Sequence, residues 1–389
     1  MKKKRVAFLV GAPTPYREPL FKRLAASSRC DIRVLYCRER QPDQGWEFAL
    51  QDYSAVFLKN LSPVKWRGKF LVSDVNPGVL KELRSYKPDA VVVHGYNTVT
   101  ALLAIRWCKH RGVPVLMRSD SNVHAEPMKT RFKLMVKRLF LTWLMKQVAA
   151  FLTVGKTNSA YWQHYGASLD QIFMASLAID NDYFGREAAR SRANRERTLA
   201  ENGWRSAFLL LYVGRLVPVK RVDVLIEAVR LASVDGLNLG LVIVGDGTER
   251  TRLETQAFGM SQVHFVGFQE WRDLPRYYGV ADLFVLPSEV EPWGLVINEA
   301  MASGLPVLAV RTAGAAGDLI VPEQNGFLVP EGSSAATLAS VLKEVCVSKD
   351  YLSTFGKKAQ LTSRVWSYSA AAEGIERALA HCLPRELPL

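Results

Sequence analysis

The strongest constraint on this chain is one passage, residues 283–310. Leu283-Phe284-Val285-Leu286 is an uninterrupted apolar run, the pattern of a strand buried on both faces, and Leu305-Pro306-Val307-Leu308-Ala309-Val310 begins a second. Between them lie Glu291 and Glu299, separated by Pro292, Trp293 and Gly294 among others. On an unbroken helix, eight positions put two side chains roughly 80° apart in azimuth and about 12 Å apart along the axis, too far to share a small ligand. Pro292 disfavours helical geometry at Glu291, while residues 295–303 read as a short helix closed by Gly304. Glu291 therefore belongs to a loop and Glu299 to a helix. The two can converge over the helix start, whose first amides lack intrahelical partners and carry the positive end of the dipole. Gly294 lets an anion approach that backbone. Two Glu taken singly would more often be solvated surface charges, but strand, loop, helix and strand in this order place them at the carboxyl end of an α/β sheet, where ligands bind.

The alternation extends along the chain. In the second half, strands are predicted over 208–213, 239–244, 263–266 and 283–286, with helices over about 222–233, 249–258 and 273–278. The intervening turns carry Gly214-Arg215, Gly245-Asp246-Gly247 and Gly267-Phe268. The Gly-x-Gly lacks the third glycine that a dinucleotide fingerprint requires. Gly214-Arg215 with Lys220 five residues on from Arg215 is more informative. Both cations sit on one turn and helix start, where an Arg fork suits phosphate oxygens and Lys supplies a point charge. Either cation alone would read as solvated.

In the first half, strands are predicted over 5–10, 31–36, 55–58, 90–93, 113–117 and 150–154, and helices over 19–27, 77–86 and 98–110. Such alternation predicts doubly wound parallel sheets. The loops after these strands present Gly11 to Tyr16, then His94 followed by Gly95-Tyr96-Asn97, then Arg118-Ser119-Asp120-Ser121-Asn122. A lone His at a strand end is structural as readily as functional, and 118–122 fits either an ordinary capped turn or a binding loop. Residues 46–68 show no regular pattern. Residues 186–205, polar and rich in Arg, Ala and Asn, read as a connection with a short helix. Helical patterns at 334–347, 351–363 and 369–383 close the chain.

Length and charge narrow the class. The 389 residues suffice for two domains with separate cores, and a composition 49% hydrophobic includes no apolar run long enough to cross a bilayer. Lys2-Lys3-Lys4-Arg5 followed by apolar residues imitates a signal peptide, but Gly11, Pro13 and Pro15 cut the run short, so a first strand is expected. Cys30, Cys37, Cys108, Cys346 and Cys382 are scattered, without the short paired spacing of zinc or redox sites. Reduced thiols in a cytoplasmic protein are expected.

The net charge of +14 is uneven: residues 1–180 hold 29 Lys and Arg against 13 Asp and Glu, and residues 181–389 hold 22 against 24. A basic half implies a negative neighbour: anionic lipid, an acidic acceptor or nucleic acid. The last is disfavoured by the lack of a helix-turn-helix, finger or aromatic–basic repeat. Residues 130–151 contain Arg131, Lys133, Lys137, Arg138 and Lys146, interleaved with ten large apolar residues between Phe132 and Met145. This basic amphipathic helix can pack as an ordinary core helix or lie on an anionic membrane, and its apolar side looks wider than packing on one sheet requires.

The passage around Glu291 and Glu299 closely resembles the Glu-x7-Glu signature of a large family of retaining glycosyltransferases, family 4-like, also described as glycosyl transferases group 1. The resemblance is strong over 213–329 and weaker over 1–180. It implies an α/β protein of GT-B architecture, with two Rossmann-like, doubly wound parallel-sheet domains facing a cleft and a C-terminal helix crossing back to the first. The implied boundaries are 1–183, a connection over 184–205, a nucleotide-sugar domain over 206–365 and the returning helix over 366–389.

By the same resemblance, Glu299 holds the nucleotide ribose and Glu291 the donor-sugar hydroxyls. The amides of Gly294, Leu295 and Val296 face sugar and diphosphate, Gly214, Arg215 and Lys220 meet the leaving diphosphate, and Gly267 and Phe268 lie near the base. His94 faces the donor sugar, and Gly11 joins the donor-binding set. The implied catalytic group is Arg215, Lys220, Glu291 and His94, and Arg118, Asp120 and Asn122 are candidate acceptor contacts. No cofactor and no metal are expected. Asp180-Asn181-Asp182 matches a metal–diphosphate pattern of another fold, but three residues match by chance, and with Ile179, Tyr183 and Phe184 they resemble the start of the family's hinge. The partners implied are a nucleotide-sugar donor, a saccharide or lipid-linked acceptor and an anionic membrane surface, without nucleic acid. The expected location is cytoplasmic and peripheral on the inner membrane face. A sugar-nucleotide epimerase or phosphorylase of the same fold is the alternative enzyme.

Overall fold

The computed structural model describes residues 3–40, 52–62, 74–124 and 131–383. The chain divides into two compact units, Met1–Ala178 with Tyr368–Leu389, and Ile179–Ser367.

The first unit runs β1 (Lys4–Val10), α1 (Glu18–Ala26), β2 (Cys30–Tyr36), β3 (Ser54–Phe57), α2 (Val79–Tyr86), β4 (Ala90–His94), α3 (Val99–Arg111), β5 (Val115–Ser119), α4 (Arg131–Met145), β6 (Ala150–Thr153), α5 (Lys156–His164) and β7 (Ile172–Met174). The second begins with α6 (Asn181–Ala193) and α7 (Arg195–Asn202). It continues β8 (Phe208–Val213), α8 (Val222–Val234), β9 (Leu239–Val244), α9 (Arg250–Gln256), β10 (Val263–Gly267), α10 (Leu274–Val280) and β11 (Leu283–Leu286). It ends α11 (Leu295–Ala302), β12 (Val307–Val310), α12 (Ala316–Leu319), β13 (Gly326–Val329), α13 (Ala335–Val345) and α14 (Lys349–Ser363), and the last helix, α15 (Tyr368–Cys382), returns to the first unit.

Both sheets are parallel, in the order β3-β2-β1-β4-β5-β6-β7 and β10-β9-β8-β11-β12-β13. Helices covering both faces require strands that are apolar throughout, and β9, Leu-Gly-Leu-Val-Ile-Val, is buried at every position. Each such Leu, Ile or Val contributes about 1.5–3 kcal/mol by leaving water. In each sheet the winding reverses once, between β1 and β4 in the first and between β8 and β11 in the second. A crevice opens at the carboxyl ends of the strands where the order reverses. The Gly214, Glu291, Gly11 and His94 loops therefore all arise at these two points.

Residues 184–205, expected as a connection, are instead structural parts of the second unit. Tyr183 donates its hydroxyl to the Arg272 carbonyl at 2.8 Å, Arg192 donates to the Ser303 carbonyl at 2.9 Å, and Arg195 pairs with Asp282 at 2.7 Å. The polar composition that suggests a linker comes in part from Arg192 and Arg195, which cap carbonyls and neutralise a carboxylate. The last helix spans Tyr368–Cys382, within the returning segment 366–389 and one residue from the expected 369–383, and Trp366 before it packs on Trp293 of the second unit with centroids 5.3 Å apart. α15 lies against α1 and β7, with Ala371, Ala372, Gly374, Ile375, Ala378 and Leu379 buried. A Cβ at Gly374 would stand 1.8 Å from the Met174 carbonyl oxygen, so only glycine permits that approach. Glu376 fixes the helix by accepting from Ser27 at 2.9 Å and pairing with Arg29 at 2.7 Å.

Of the irregular stretch 46–68, residues 46–51 and 63–68 lie outside the described residues; within the rest, Ser54–Phe57 forms the edge strand. Lys2, at the start of the basic N-terminal run, and Thr130 of the amphipathic segment also lie outside them. All five cysteines are free, four of them buried.

Candidate functional site

The second unit gathers most of the residues singled out above at the carboxyl edge of its sheet. β8 ends at Val213, and Gly214-Arg215 turns the chain toward a single 3-10 turn, Pro218–Lys220, before α8. Arg215 is exposed, and its carbonyl accepts a hydrogen bond from the Tyr212 hydroxyl at 3.1 Å. β11 ends at Leu286, and the following loop carries Glu291 before α11.

Lys220 Nζ lies 2.5 Å from Glu291 Oε2, with both side chains largely buried. The sequence reading gave these residues separate partners, a diphosphate and a sugar. Folding makes them an ion pair, because the amide of Glu289 donates to the Val219 carbonyl at 2.9 Å and draws the two loops together. Ser288 Oγ reaches the same Glu291 oxygen at 3.4 Å. On the other side, the amide of Gly314 donates to the Glu291 carbonyl at 3.0 Å and that of Ala315 to the Trp293 carbonyl at 2.8 Å. The loop is thus clamped between its neighbours.

α11 starts as the Pro and Gly positions dictate. Gly294 stands at φ 94° as its N-cap, a left-handed conformation that glycine adopts without strain, and Leu295–Ala302 follow as helix. Leu295 and Val296, the first two helical residues, are partly exposed, whereas Asn298 and Glu299 are fully buried. Asn298 accepts from Trp293 Nε1 at 3.0 Å, which ties the loop to the helix. The Tyr278 hydroxyl donates to Glu299 Oε2 at 2.8 Å. Tyr278 lies on α10, and nothing in the sequence linked it to Glu299. Gly267 closes β10 at φ 85°, and Phe268 beyond it is 48% exposed.

Glu291→Ala removes the partner of Lys220 along with a charged acceptor. If the site takes the sugar donor that the resemblance implies, loss of a charge-assisted hydrogen bond of about 1.5–3 kcal/mol is expected to lower turnover roughly 10- to 100-fold. Affinity for the free nucleotide diphosphate should stay near wild type, measured by calorimetric titration beside turnover. An equal fall in both would assign Glu291 to the nucleotide instead.

In the first unit, Gly11 follows β1, His94 ends β4, and Arg118 opposes His94 on β5. Register partners on parallel strands share a face, and this face is covered by α1 through Phe21, with Phe8 and Phe21 rings 6.4 and 6.3 Å from the imidazole. Burial first, then the charges of Arg17 and Arg118, hold the His94 pKa well below its ordinary value, so the imidazole is neutral near pH 7. Its Nε2 has no hydrogen-bond partner among the described residues. Arg118, 5% exposed, donates to the Ser176 carbonyl at 3.0 Å, and burial followed by Arg17 pushes its pKa down to about 9. Asp120 is exposed and Asn122 buried. Of the expected acceptor group, Asp120 alone is well exposed; Arg118 is in large part a core residue. Arg17, which no motif marked, is the charge that His94 and Arg118 share.

Asp180 is the N-cap of α6, accepting from the Tyr183 amide at 2.9 Å. That carboxylate has a local structural use.

Residues 194–362 match the family model described as glycosyl transferases group 1. Sulfoquinovosyl transferase SQD2 of Arabidopsis thaliana is 28% identical over 312 residues, covering 77% of this chain and 58% of that protein. A GDP-mannose-dependent alpha-mannosyltransferase of Mycobacterium tuberculosis is 41% identical over 121 residues, 31% of this chain and 30% of that protein. The chain thus spans little more than half, or less, of the curated relatives it matches. The crystal structure of Anabaena Alr3699/HepE, in complex with UDP and glucose, superposes with TM-score 0.72 at 19% identity, covering 97% of this chain and 99% of that one. The family match covers β8 to β13 and the clamped Glu291 loop, and two parallel sheets with one reversal each complete the architecture. Residues 194–362 thus resemble the glycosyl transferases group 1 family, and the fold of the chain is the GT-B fold.

Proposed function

We propose that this protein is a retaining, metal-independent glycosyltransferase that moves a hexose-type sugar from a nucleotide-diphosphate donor to a lipid-linked or cell-surface polysaccharide acceptor. One observation carries the reading: Arg215, the Lys220–Glu291 pair and the Gly294 start of α11 lie on adjoining loops at the reversal of one sheet, inside the family match. Two cations and a helix N-terminus on one edge suit a diphosphate. Neutralising the charge that develops on a leaving diphosphate is commonly a large part of catalysis in such sites. Glu291, held by Lys220, accepts from sugar hydroxyls, and Glu299 anchors the ribose. Gly214, Gly267 and Phe268 shape the nucleotide end. Neutral His94 and Gly11 serve the donor sugar, and Asp120 with its neighbours Arg118 and Asn122 serves the acceptor. HepE, with UDP and glucose bound, supports the donor class by analogy of fold.

The enzyme works on the cytoplasmic side, peripherally on an anionic membrane; among the described residues no helix is long and apolar enough to cross one. The basic first half supports that location. A screen of nucleotide sugars, followed by nucleotide release with lipid-linked and free acceptors, tests the reading, and the anomeric configuration of the product tests retention. Isomerised donor without transfer to any acceptor would overturn it. Turnover is expected to survive a chelator unchanged, since cations of the chain neutralise the diphosphate. Strict dependence on added divalent ion would overturn the metal-independent part.

A further inference from the structure

α4 has apolar side chains on two sides. Leu141 and Leu144 are fully buried in the core of the first unit, and Phe140 and Met145 pack against it. Lys137 lies over α5, its ammonium 5.0 Å from the Tyr161 ring centroid. On the opposite side, Phe132, Met135, Val136, Leu139 and Trp143 are 69%, 53%, 47%, 66% and 42% exposed. Their spacing aligns them in one stripe along the helix. Single exposed apolar residues need no explanation, but five in register do. The expected helix therefore packs and still presents a second apolar face.

Charge selects what covers that face. Between Glu126 and Asp170 there is no Asp or Glu, while the interval holds seven Lys and Arg. Arg138 on α4 and Lys146 just beyond its end are both exposed. A second copy of this chain would bring two cationic surfaces together. An anionic bilayer complements both features, since apolar side chains enter the acyl boundary while flanking cations stay among the headgroups.

We propose that the outward stripe of α4, Phe132, Met135, Val136, Leu139 and Trp143, inserts into the surface of an anionic bilayer and anchors the protein there. The proposal rests on the membrane reading above and identifies the surface responsible. Binding then has two components: attraction by the cations, which salt screens, and apolar insertion, which salt leaves intact.

Co-sedimentation of the full chain with vesicles of phosphatidylcholine containing about one-third phosphatidylglycerol, at about 0.05 M and about 0.5 M salt, separates the two components. Wild type should prefer these vesicles to pure phosphatidylcholine and retain measurable binding at high salt. Phe132→Ser with Leu139→Ser should weaken binding at least tenfold at both salts, and Arg138→Gln with Lys146→Gln should weaken it at low salt only. These side chains are exposed, so melting temperatures should not change; if the double serine variant melts early, Met135→Ser supplies the same comparison. Wild-type binding by the stripe variants would overturn the proposal. So would a wild-type dimer without lipid that the stripe variants dissolve, which would assign the face to self-association. Turnover with a free acceptor in the absence of vesicles is unaffected by the stripe changes, so failure of the anchor and failure of the glycosyltransferase reading are read separately.

Discussion

Glu299→Gln is expected to reduce sugar transfer by about 10²-fold while the protein stays folded. A hydrogen bond from a substrate hydroxyl to a charged carboxylate is worth about 1.5–3 kcal/mol, and that charge is what the substitution removes. Glu299 is fully buried, and Tyr278 donates to one of its oxygens. Glu299→Ala would confound the result, because it leaves the tyrosine hydroxyl without its acceptor at a cost of about 1–3 kcal/mol. Glutamine retains volume and an acceptor for Tyr278, so the loss is confined to the charge. Tyr278→Phe is the control: it removes the internal bond and keeps the carboxylate. If Glu299 anchors the ribose, the glutamine variant loses affinity for the nucleotide diphosphate and the phenylalanine variant largely keeps it. If Glu299 only braces α10 on α11, both variants melt earlier and turn over alike, and the ribose assignment fails.

Arg215→Ala should lower kcat by about 10²–10³-fold, the cost of removing one preorganised donor from a developing oxyanion. Arg215 is exposed, so the melting temperature should change little beside the loss of kcat. Single-turnover assays separate chemistry from donor binding. Near-wild-type chemistry in this variant would remove Arg215 from the leaving-group site. Lys220→Ala is a poorer probe, because it strands the largely buried Glu291 carboxylate as well.

How much was legible follows from the range of the forces involved. β8, β9 and β11 have the predicted bounds, Phe208–Val213, Leu239–Val244 and Leu283–Leu286, because a fully buried parallel strand must be apolar at every position and glycine or proline ends it. The split of Glu291 into a loop and Glu299 into a helix was readable from Pro292 and Gly294, whose backbone limits act within a residue or two. α6 and α7 were misread as a connection because arginines that cap carbonyls look, in sequence, like arginines in water. The width of the apolar side of α4 was readable, but not which of its members pack on the core and which face outward.

Local sequence by itself determined the strands, the turn glycines, the start of α11 and the α/β class, since all depend on steric and solvation preferences spanning a few residues. The tertiary structure alone decided that Lys220 pairs with Glu291, 71 positions away, and that Tyr278 meets Glu299. It also decided that burial, aided by the charges of Arg17 and Arg118, holds the His94 pKa down, and which side of α4 is left uncovered. These are encounters between elements brought together by the strand order of each sheet, and a side chain's charge state and exposure are properties of its neighbours in space.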